Sequence, residues 1–322
     1  MKPPCTITSK ILSLVSDISL LLGRYEGQHC PPPEPKLRKQ NRIKTIRGSL
    51  QIEGNTLSEE QITAILDNKR VLGPSLEIKE VQNAIKTYSE LKNFSPYSLK
   101  SFLKAHAFLM NGILDDAGKF RSGNVGVLKG TKVSHLAPKP RMVPELMEKL
   151  FTYLKNEKTE HFLIKSSIAH YEIEFIHPFS DGNGRMGRLW QTIILTSHNP
   201  IFEYLPIESS IKNHQQEYYD ALEKSDKSGD SSHFVEFILE MILETLKGFL
   251  DSVRPLKLTA KDRLDKAKDF FQKKKFSRKD YLDYFKEISA PTASRDLLWG
   301  LEQRILKKSG SKNQTTYCFF VD

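Results

Sequence analysis

Apolar residues recur every three or four positions along most of this chain, the spacing that places them on one face of a helix. The repeats are interrupted where Gly, Pro and Asn cluster, which marks turns. The pattern predicts helices at residues 11–22, 36–52, 59–67, 76–93, 99–109, 143–155, 159–176, 211–224 and 232–253, and one that begins near Gly184. Before residue 250, only the region of Val125 and Val133 favours a pair of short strands. We therefore expect a mainly α protein with one small β-hairpin.

Helix-end signals subdivide the N-terminal region. The prolines at 31–33 are typical of a stiff connector between the first two helices. The Gly-Asn pair at 54–55 favours a helix stop, and the Thr-x-x-Glu sequence at 56–59 predicts a capping box that opens the next helix. Glu53 then falls in a last helical turn, where the helix dipole disfavours negative charge. We expect another group to compensate for that charge.

The C-terminal region has a different pattern. It predicts helices at 260–272, 278–285 and 289–302, followed by strands at 305–308 and 315–320 around a Ser-Gly-Ser turn. Three helices followed by a hairpin are typical of a winged-helix domain. We therefore expect a separate winged-helix domain at 256–322.

Composition narrows the cellular setting. A chain of 322 residues with 39% hydrophobic side chains can bury the cores of two or three compact units. The apolar stretch at 11–22 is interrupted by Ser and Asp, so it predicts an amphipathic helix rather than a signal peptide or a membrane span. The cysteines, Cys5, Cys30 and Cys318, lack metal-site spacing. These features predict a cytoplasmic protein without a membrane partner.

Residues 177–188, HPFSDGNGRMGR, combine groups that handle phosphates. Gly182 and Gly184 flank Asn183, so successive backbone N–H groups can point into one concavity without interference from a β-carbon. The N-terminus of the following helix adds positive partial charge at the same place. Arg185 and Arg188 are three residues apart on that helix and share a face.

The same segment offers a base and a metal ligand. His177 stands where an imidazole could take a proton from an attacking hydroxyl, and Asp181 supplies a carboxylate of the kind that Mg²⁺ binds. Taken singly, the two would be read as a core histidine and a helix cap. Their occurrence together in one short loop favours a catalytic site.

This segment resembles the motif HPFx[D/E]GNGRxxR of the Fic family at every fixed position. The resemblance implies a helical core with a β-hairpin flap that aligns a target peptide, and transfer of AMP from ATP to Ser, Thr or Tyr hydroxyls of proteins, including the enzyme itself. It also implies that His177 is the general base and that Asp181 holds Mg²⁺. The segment at 118–121, GKFR, together with Val125 and Val127, resembles the family's strand-forming flap. The similarities cover about residues 95–250, which implies a catalytic core there after an N-terminal helical region at 1–94.

The resemblance also implies the nucleotide contacts. Asn183 and the amides of Gly182 and Gly184 would hold the α-phosphate, Arg185 the β-phosphate and Arg188 the γ-phosphate. Family members that transfer a phosphate tend to carry lysine in place of Gly184, so the glycine favours AMP transfer. Tyr218 and Tyr219 are similar to a tyrosine pair near the nucleoside in many members, although both could equally be core aromatics.

A second resemblance lies upstream. Residues 49–54, SLQIEG, match the family's inhibitory signature [S/T]xxxE[G/N], with Ser49 and Glu53 at its fixed positions. It implies that Glu53 pairs with Arg188 and withholds that guanidinium from the γ-phosphate. A solvated glutamate at a helix end is the structural alternative. In some relatives this glutamate positions a water for removal of AMP, so hydrolysis is a further possible activity.

Charge gathers in the tail. From residue 251 onward there are seventeen Lys and Arg against ten Asp and Glu, a net charge of +7 within the chain's total of +10. The sequence from Ser289 resembles the recognition-helix segment of winged helices appended to Fic proteins, and such a basic domain attracts nucleic acid nonspecifically. We expect the helix to expose Arg295 together with Asp296 and Glu302, whose charge opposes DNA binding. Protein docking or packing is the alternative role.

Three functions follow from these patterns. The leading hypothesis is an ATP- and Mg²⁺-dependent protein adenylyltransferase that Glu53 inhibits. A second is de-adenylylation or another nucleotidyl transfer at the same site. A third is a DNA-binding regulator whose Fic site is vestigial, and the presence of every motif residue argues against it.

Overall fold

A computed structural model of the protein describes residues 2–27, 33–129, 132–253, 258–286, 288–311 and 315–320. Cys30, the prolines at 31 and 32 and the expected domain start at residue 256 lie outside these ranges. The chain divides into two compact units, Met1–Arg254 and Pro255–Asp322. The N-terminal helices pack into the first unit together with the expected catalytic segment, because one hydrophobic cluster extends from Ile11 to Phe249.

The first unit is mainly α-helical, as predicted. Where it is described, its helices are α1 (Ser9–Gly27), α2 (Pro35–Ile52), α3 (Glu59–Leu66), α4 (Ser75–Ser89), α5 (Leu99–Leu109), α6 (Val143–Asn156), α7 (Phe162–Ile176), α8 (Asn183–His198), α9 (Ile207–Asn213), α10 (Gln215–Ser228) and α11 (Ser232–Ser252). Short 3-10 helices lie at Leu91–Asn93, Pro140–Met142 and Pro200–Tyr204. No helix among the described segments is both long and apolar enough to cross a membrane.

The predicted hairpin is present. Strands β1 (Gly126–Lys129) and β2 (Lys132–Leu136) pair antiparallel, with Gly126 opposite Leu136 and Lys129 opposite Lys132. The register shifts between Val127 and Leu128, as at a β-bulge.

Two local predictions were wrong. The expected helix at 211–224 is two helices, because His214 leaves helical geometry at φ −114° and ψ 38° between α9 and α10. The capping box of α3 is formed by Ser58 and Gln61 rather than by Thr56 and Glu59. The Thr56 hydroxyl and N–H donate instead to the Glu77 carboxylate, which is a contact distant in sequence.

Helices α7 and α8 form the centre of the unit. They pack against each other, and α7 is buried on nearly all sides, including Leu163, Ile168 and Ile173. Trp190 of α8 is fully buried. A helix buried all round needs apolar residues on every face, so this pair of helices fixes the two ends of the loop between them.

Helix α2 reaches the same centre through a close contact with α9. A β-carbon at Gly48 would lie only 2.6 Å from the backbone nitrogen of Ser209 and 2.7 Å from the carbonyl carbon of Glu208. The absence of that atom lets the two backbones approach and brings the C-terminal turn of α2, with Ser49 and Glu53, to the side of α8.

The second unit contains the predicted elements in the predicted order. They are α12 (Ala260–Phe271), α13 (Arg278–Tyr284), α14 (Ala290–Glu302), β3 (Leu306–Ser309) and β4 (Thr316–Phe319), and the two strands pair antiparallel. The core of this unit includes Leu264, Phe276, Tyr281, Leu297 and Phe319. Its assignment as a winged helix stays a prediction.

The expected exposure of Asp296 was wrong. Its side chain is buried, and its two carboxylate oxygens accept hydrogen bonds from Arg263 Nε at 2.6 Å and Nη2 at 2.8 Å. The Tyr281 hydroxyl donates a third hydrogen bond to this carboxylate at 3.3 Å. Asp296 shares the inward face of α14 with Ala293, Leu297 and Gly300, so a polar residue occupies a core position and is satisfied there by a bidentate pair.

We predict that Asp296→Ala destabilises the second unit by about 3 to 5 kcal/mol, because it leaves the Arg263 charge without its partner. Of the protein's two tryptophans, Trp190 lies in the first unit and Trp299 packs against the core of the second, so urea unfolding followed by Trp299 fluorescence in a Trp190→Phe background isolates the effect. Glu302→Ala on the same helix is the exposed control. Equal midpoints for the two variants would contradict the buried pair.

Candidate active site

The loop between α7 and α8 begins and ends with left-handed backbone. His177 caps α7 at φ 50° and ψ 62°, and Gly182 precedes α8 at φ 82°. A histidine in this region costs of order 1 to 3 kcal/mol, so it persists only where neighbouring contacts hold it. The strain therefore marks the position that the sequence predicts as the base.

Asn183 and Phe179 close the loop. Asn183 accepts a hydrogen bond from the Phe179 N–H at 2.8 Å and donates one to the Phe179 carbonyl at 3.0 Å. The Phe179 ring is fully buried and stacks 3.5 Å from the His106 ring, with 2° between their planes. Phe179 therefore anchors the loop to the core. Since both polar atoms of the Asn183 side chain are bonded within the loop, its backbone N–H is the better candidate for an anion contact.

His106, which the sequence analysis did not single out, supports the loop from α5. Its Nδ1 accepts the Gly118 N–H at 2.8 Å, so Nε2 carries the proton that is donated to the Asp181 carbonyl at 3.0 Å. Burial lowers the pKa of His106 to about 4, which keeps this tautomer neutral near pH 7. A lone histidine on an amphipathic helix carries no sequence signal for such a role.

Arg121 joins the loop to both ends of the hairpin. It donates to the carbonyls of His177 (2.7 Å) and Ile176 (3.3 Å), and to those of Gly123 (2.9 Å) and Pro138 (2.6 Å) on either side of β1 and β2. The residue is 3% exposed. Its guanidinium therefore holds the strained turn at His177 and the hairpin base in one arrangement.

Arg185 is engaged by two carboxylates. Its Nη1 donates to Glu80 of α4 at 2.8 Å and its Nη2 to Asp181 at 3.2 Å. The Asp181 carboxylate also accepts the Gly182 N–H at 2.6 Å and remains 57% exposed. Glu80 lies outside both recognised motifs, so the sequence analysis missed it.

Arg188 and Glu53 meet, as predicted. Arg188 Nη2 donates to Glu53 Oε1 at 2.6 Å and to the Ser49 carbonyl at 3.0 Å, while Nε reaches the Ser49 hydroxyl at 3.2 Å. Arg188 is 2% exposed, and its Nη1 has no hydrogen-bond partner within the described ranges. A β-carbon on Gly184 would collide with the Glu53 carboxylate, so the glycine is needed for this pairing.

Two further acidic residues, Glu174 and Glu208, interact electrostatically with the Arg188 guanidinium. Burial raises the pKa of Glu174, but contact with His170 and the charges of His170 and Arg188 outweigh it and lower that pKa below its ordinary value. Burial raises the pKa of Glu208 to about 7 despite hydrogen bonds from Tyr88 and Thr192. Burial also lowers the pKa of Arg188, yet Glu53 and the other nearby acidic groups raise it overall. The guanidinium is thus charged at any working pH.

The predicted tyrosine pair lies on α10, and its two members have different surroundings. Tyr218 is 1% exposed, and its hydroxyl donates to Glu174 at 3.0 Å and contacts His170 Nε2 at 3.1 Å. Tyr219 is 36% exposed and receives a hydrogen bond from Gln215 at 3.3 Å. Tyr218 is therefore a core aromatic, whereas Tyr219 presents a ring to the surface.

The donor set is compatible with Mg²⁺. Among the described residues no cluster of three His, Cys, Asp or Glu side chains could enclose a metal ion. Mg²⁺ is commonly held by one or two carboxylates together with substrate phosphates and water, and the exposed Asp181 carboxylate next to Arg185 fits that pattern.

Comparisons with known proteins agree with this fold and motif. Residues 96–195 match the Fic/DOC family. A Fic family protein of known structure from Desulfovibrio desulfuricans G20 is 38% identical, and the alignment covers 100% of this chain and 99% of that one with a TM-score of 0.74. The chain belongs to the Fic family.

Other relatives are more distant or longer. The protein adenylyltransferase Fic of Aedes aegypti is 32% identical over 250 residues, which are 74% of this chain but 45% of the relative. The chain thus spans less than half the length of that curated relative. Fic-1 of Caenorhabditis elegans (residues 134–508) shares the fold over 75% of this chain at 22% identity, with a TM-score of 0.61.

Glu208 generates a pH prediction. Native Glu208 keeps its proton between its ordinary pKa of 4.5 and its raised pKa of about 7, whereas the unfolded chain releases it, so native stability falls as pH rises through this interval. We expect Glu208→Gln to remove that fall and to be more stable than the native sequence by roughly 2 to 4 kcal/mol above the interval, since one pKa unit corresponds to about 1.4 kcal/mol.

The measurement is urea unfolding of both proteins at a series of pH values. The amide keeps an oxygen for Tyr88 and Thr192, and its NH₂ replaces an oxygen, Oε2, that has no partner within the described ranges. The difference between the two proteins should therefore shrink toward zero at acid pH. A difference independent of pH would show that Glu208 titrates normally.

Proposed function

We propose that this protein transfers AMP from ATP to Ser, Thr or Tyr hydroxyls of proteins, including its own, and that Glu53 inhibits the reaction. The observation that carries the proposal is the 2.6 Å pair between Glu53 and Arg188 at the start of α8, inside a motif that is complete for the family. A buried arginine with one open nitrogen and one carboxylate partner is suited to exchange that carboxylate for a phosphate.

His177 is suited to act as the general base. Its Nδ1 lies 3.3 Å from the Glu174 carbonyl, which can only accept, so Nδ1 carries the proton and Nε2 is the nitrogen that can accept one. In the proposed step Nε2 takes the proton of the target hydroxyl while its oxygen attacks the α-phosphorus. The new P–O bond forms as the bond from the α-phosphorus to the bridging oxygen breaks, and pyrophosphate leaves.

The start of α8 would bind the triphosphate. Its first backbone N–H groups have no partner within the helix and face the developing charge on the α-phosphate. Arg185 would hold the β-phosphate and Arg188 the γ-phosphate, which places the α-phosphorus in line for attack. Asp181 would hold Mg²⁺, and the ion would neutralise phosphate charge when bound.

The surroundings suggest how the two substrates are recognised. Tyr219, whose ring is partly exposed, is a better candidate than the buried Tyr218 for stacking on adenine. The hairpin of β1 and β2 would pair with an extended target segment through main-chain groups. Such recognition would depend little on the target's side chains.

De-adenylylation is the second candidate activity. The position of Glu53 favours this activity, because its side chain is 31% exposed and contacts Arg188 near the start of α8. The proposed α-phosphate site lies there, so the Glu53 carboxylate could activate a water beside it. One readout separates the two activities. With α-labelled ATP, AMP transfer accumulates label on protein, whereas de-adenylylation removes label from protein that already carries it.

We predict that Glu53→Gly raises self-labelling from α-labelled ATP by about tenfold or more. Removal of the Glu53 carboxylate breaks a charge-assisted hydrogen bond worth about 1.5 to 3 kcal/mol, so the Arg188 guanidinium becomes available to the γ-phosphate. Glu34→Gly is the matched control, since it removes an exposed carboxylate at the other end of α2 that makes no capping bond. Unchanged self-labelling by a folded Glu53→Gly protein would show that Glu53 does not inhibit the reaction.

We predict that His177→Ala, made in the Glu53→Gly background, lowers labelling by about 10²- to 10⁴-fold, the usual effect of losing a general base. ATP affinity measured by calorimetry should stay within about threefold, because the base acts on the target hydroxyl rather than on the triphosphate. His233→Ala, an exposed histidine on α11, is the control. Retained labelling in the His177→Ala protein would exclude the assigned role.

A further inference from the structure

Glu80 connects two parts of the site that are distant in sequence. Its Oε1 accepts a hydrogen bond from Arg185 Nη1 at 2.8 Å, and its Oε2 accepts one from Asn55 Nδ2, also at 2.8 Å. Its side chain is 16% exposed and that of Arg185 is 4% exposed. One carboxylate therefore links a proposed phosphate-binding arginine to the turn that follows α2.

Asn55 belongs to the inhibitory segment by geometry. It lies two residues after Glu53, and its N–H donates to the Leu50 carbonyl at 3.1 Å across the turn made by Gly54, whose φ is 94°. Its side chain is buried, with Oδ1 accepting the Leu57 N–H at 3.1 Å and Nδ2 also reaching the Glu77 carbonyl at 3.2 Å. These bonds hold Asn55 and Glu53 as one rigid turn.

The chemistry of the link requires a carboxylate. Both partners of Glu80 are donors, so both of its oxygens must accept. A glutamine would turn its NH₂ toward either Arg185 or Asn55 and lose that bond. Asn55 cannot compensate by rotating its amide, because its oxygen already accepts from Leu57.

The Arg185 guanidinium also retains an unused donor. Its Nε is buried and has no hydrogen-bond partner among the residues described. An anion that binds there competes with Glu80 for the charge of the same guanidinium. Occupation of Arg185 by a phosphate would thus weaken the bond that holds Asn55.

We propose that Glu80 is a positioning residue that couples the phosphate site at Arg185 to the seat of Glu53 on Arg188. This inference rests on the proposed function. A β-phosphate on Arg185 loosens the hold of Glu80 on Asn55, and the turn then releases Glu53 more readily. In the absence of nucleotide the same chain of bonds keeps both arginines paired with carboxylates. The alternative is a local ion pair that tunes Arg185 independently of Glu53.

A comparison of variants in two backgrounds separates these cases. Glu80→Gln and Asn55→Ala are each made in the native sequence and in Glu53→Gly. The affinity for an ATP analogue with a methylene bridge between its α- and β-phosphorus atoms is measured by calorimetry with Mg²⁺. Thr56→Val is the control, because Thr56 is exposed, adjacent to Asn55 and bonded to Glu77 but not to Glu80.

We expect Glu80→Gln and Asn55→Ala each to tighten analogue binding by about three- to tenfold in the native background, the range for a weakened charged hydrogen bond. In Glu53→Gly neither should tighten it, and the two changes combined should do no more than one alone, because they break the same link. Thr56→Val should match the native protein. Thermal unfolding identifies any variant that is not folded, and the two substitutions test the link independently.

Equal effects of Glu80→Gln in both backgrounds, or no gain with either variant in the native sequence, would overturn the coupling and leave a local pair. A loss of affinity in the native background would overturn it as well. Failure of Glu53→Gly itself to tighten analogue binding is a different outcome, since it would reject the proposed inhibition by Glu53. The two ideas can therefore fail separately.

Discussion

A buried cation organises the first unit. Arg188 is almost inaccessible to water, and a lone charge there would destabilise the fold by several kcal/mol. The chain compensates with two carboxylates, Glu53 at the end of α2 and Glu174 of α7, whereas Glu208 of α9 keeps its proton up to a raised pKa of about 7. Glu208 is buried and the Glu174 side chain is 13% exposed, whereas the Glu53 side chain is 31% exposed. In the proposed reaction the more exposed partner, Glu53, is exchanged for a phosphate, and the exchange of one anion for another leaves the cation satisfied.

The parts of the site that can be predicted well are those whose residues are contiguous in the sequence. Residues 177–188 bring their own turn glycines, helix start and arginine spacing, so their arrangement follows from local geometry. The Glu53–Arg188 pair could be anticipated from a second short motif, although nothing in the spacing of the two motifs indicates contact. The helix boundaries were close because most of these helices carry a regular apolar face.

The remaining contacts could not be predicted because each joins residues that are far apart and unremarkable by themselves. Glu80, His106 and Arg121 gain their roles from tertiary packing, and a single sequence carries no record of which residues meet. The predicted exposure of Asp296 was wrong for a related reason. Its position matched the buried face of α14, but its charge favoured the surface, and the partner that decides between them lies on another helix.

The contact between Gly48 and α9 has a consequence for how the proposed inhibition by Glu53 could be lost. The seat of Glu53 depends on a missing methyl group on the opposite side of α2, where there is no catalytic residue. Any side chain there would push the two backbones apart and withdraw the inhibitory turn from α8. If Glu53 inhibits as proposed, a lineage could lose that inhibition through one codon change at a position that no catalytic motif includes, and the motifs themselves would remain intact.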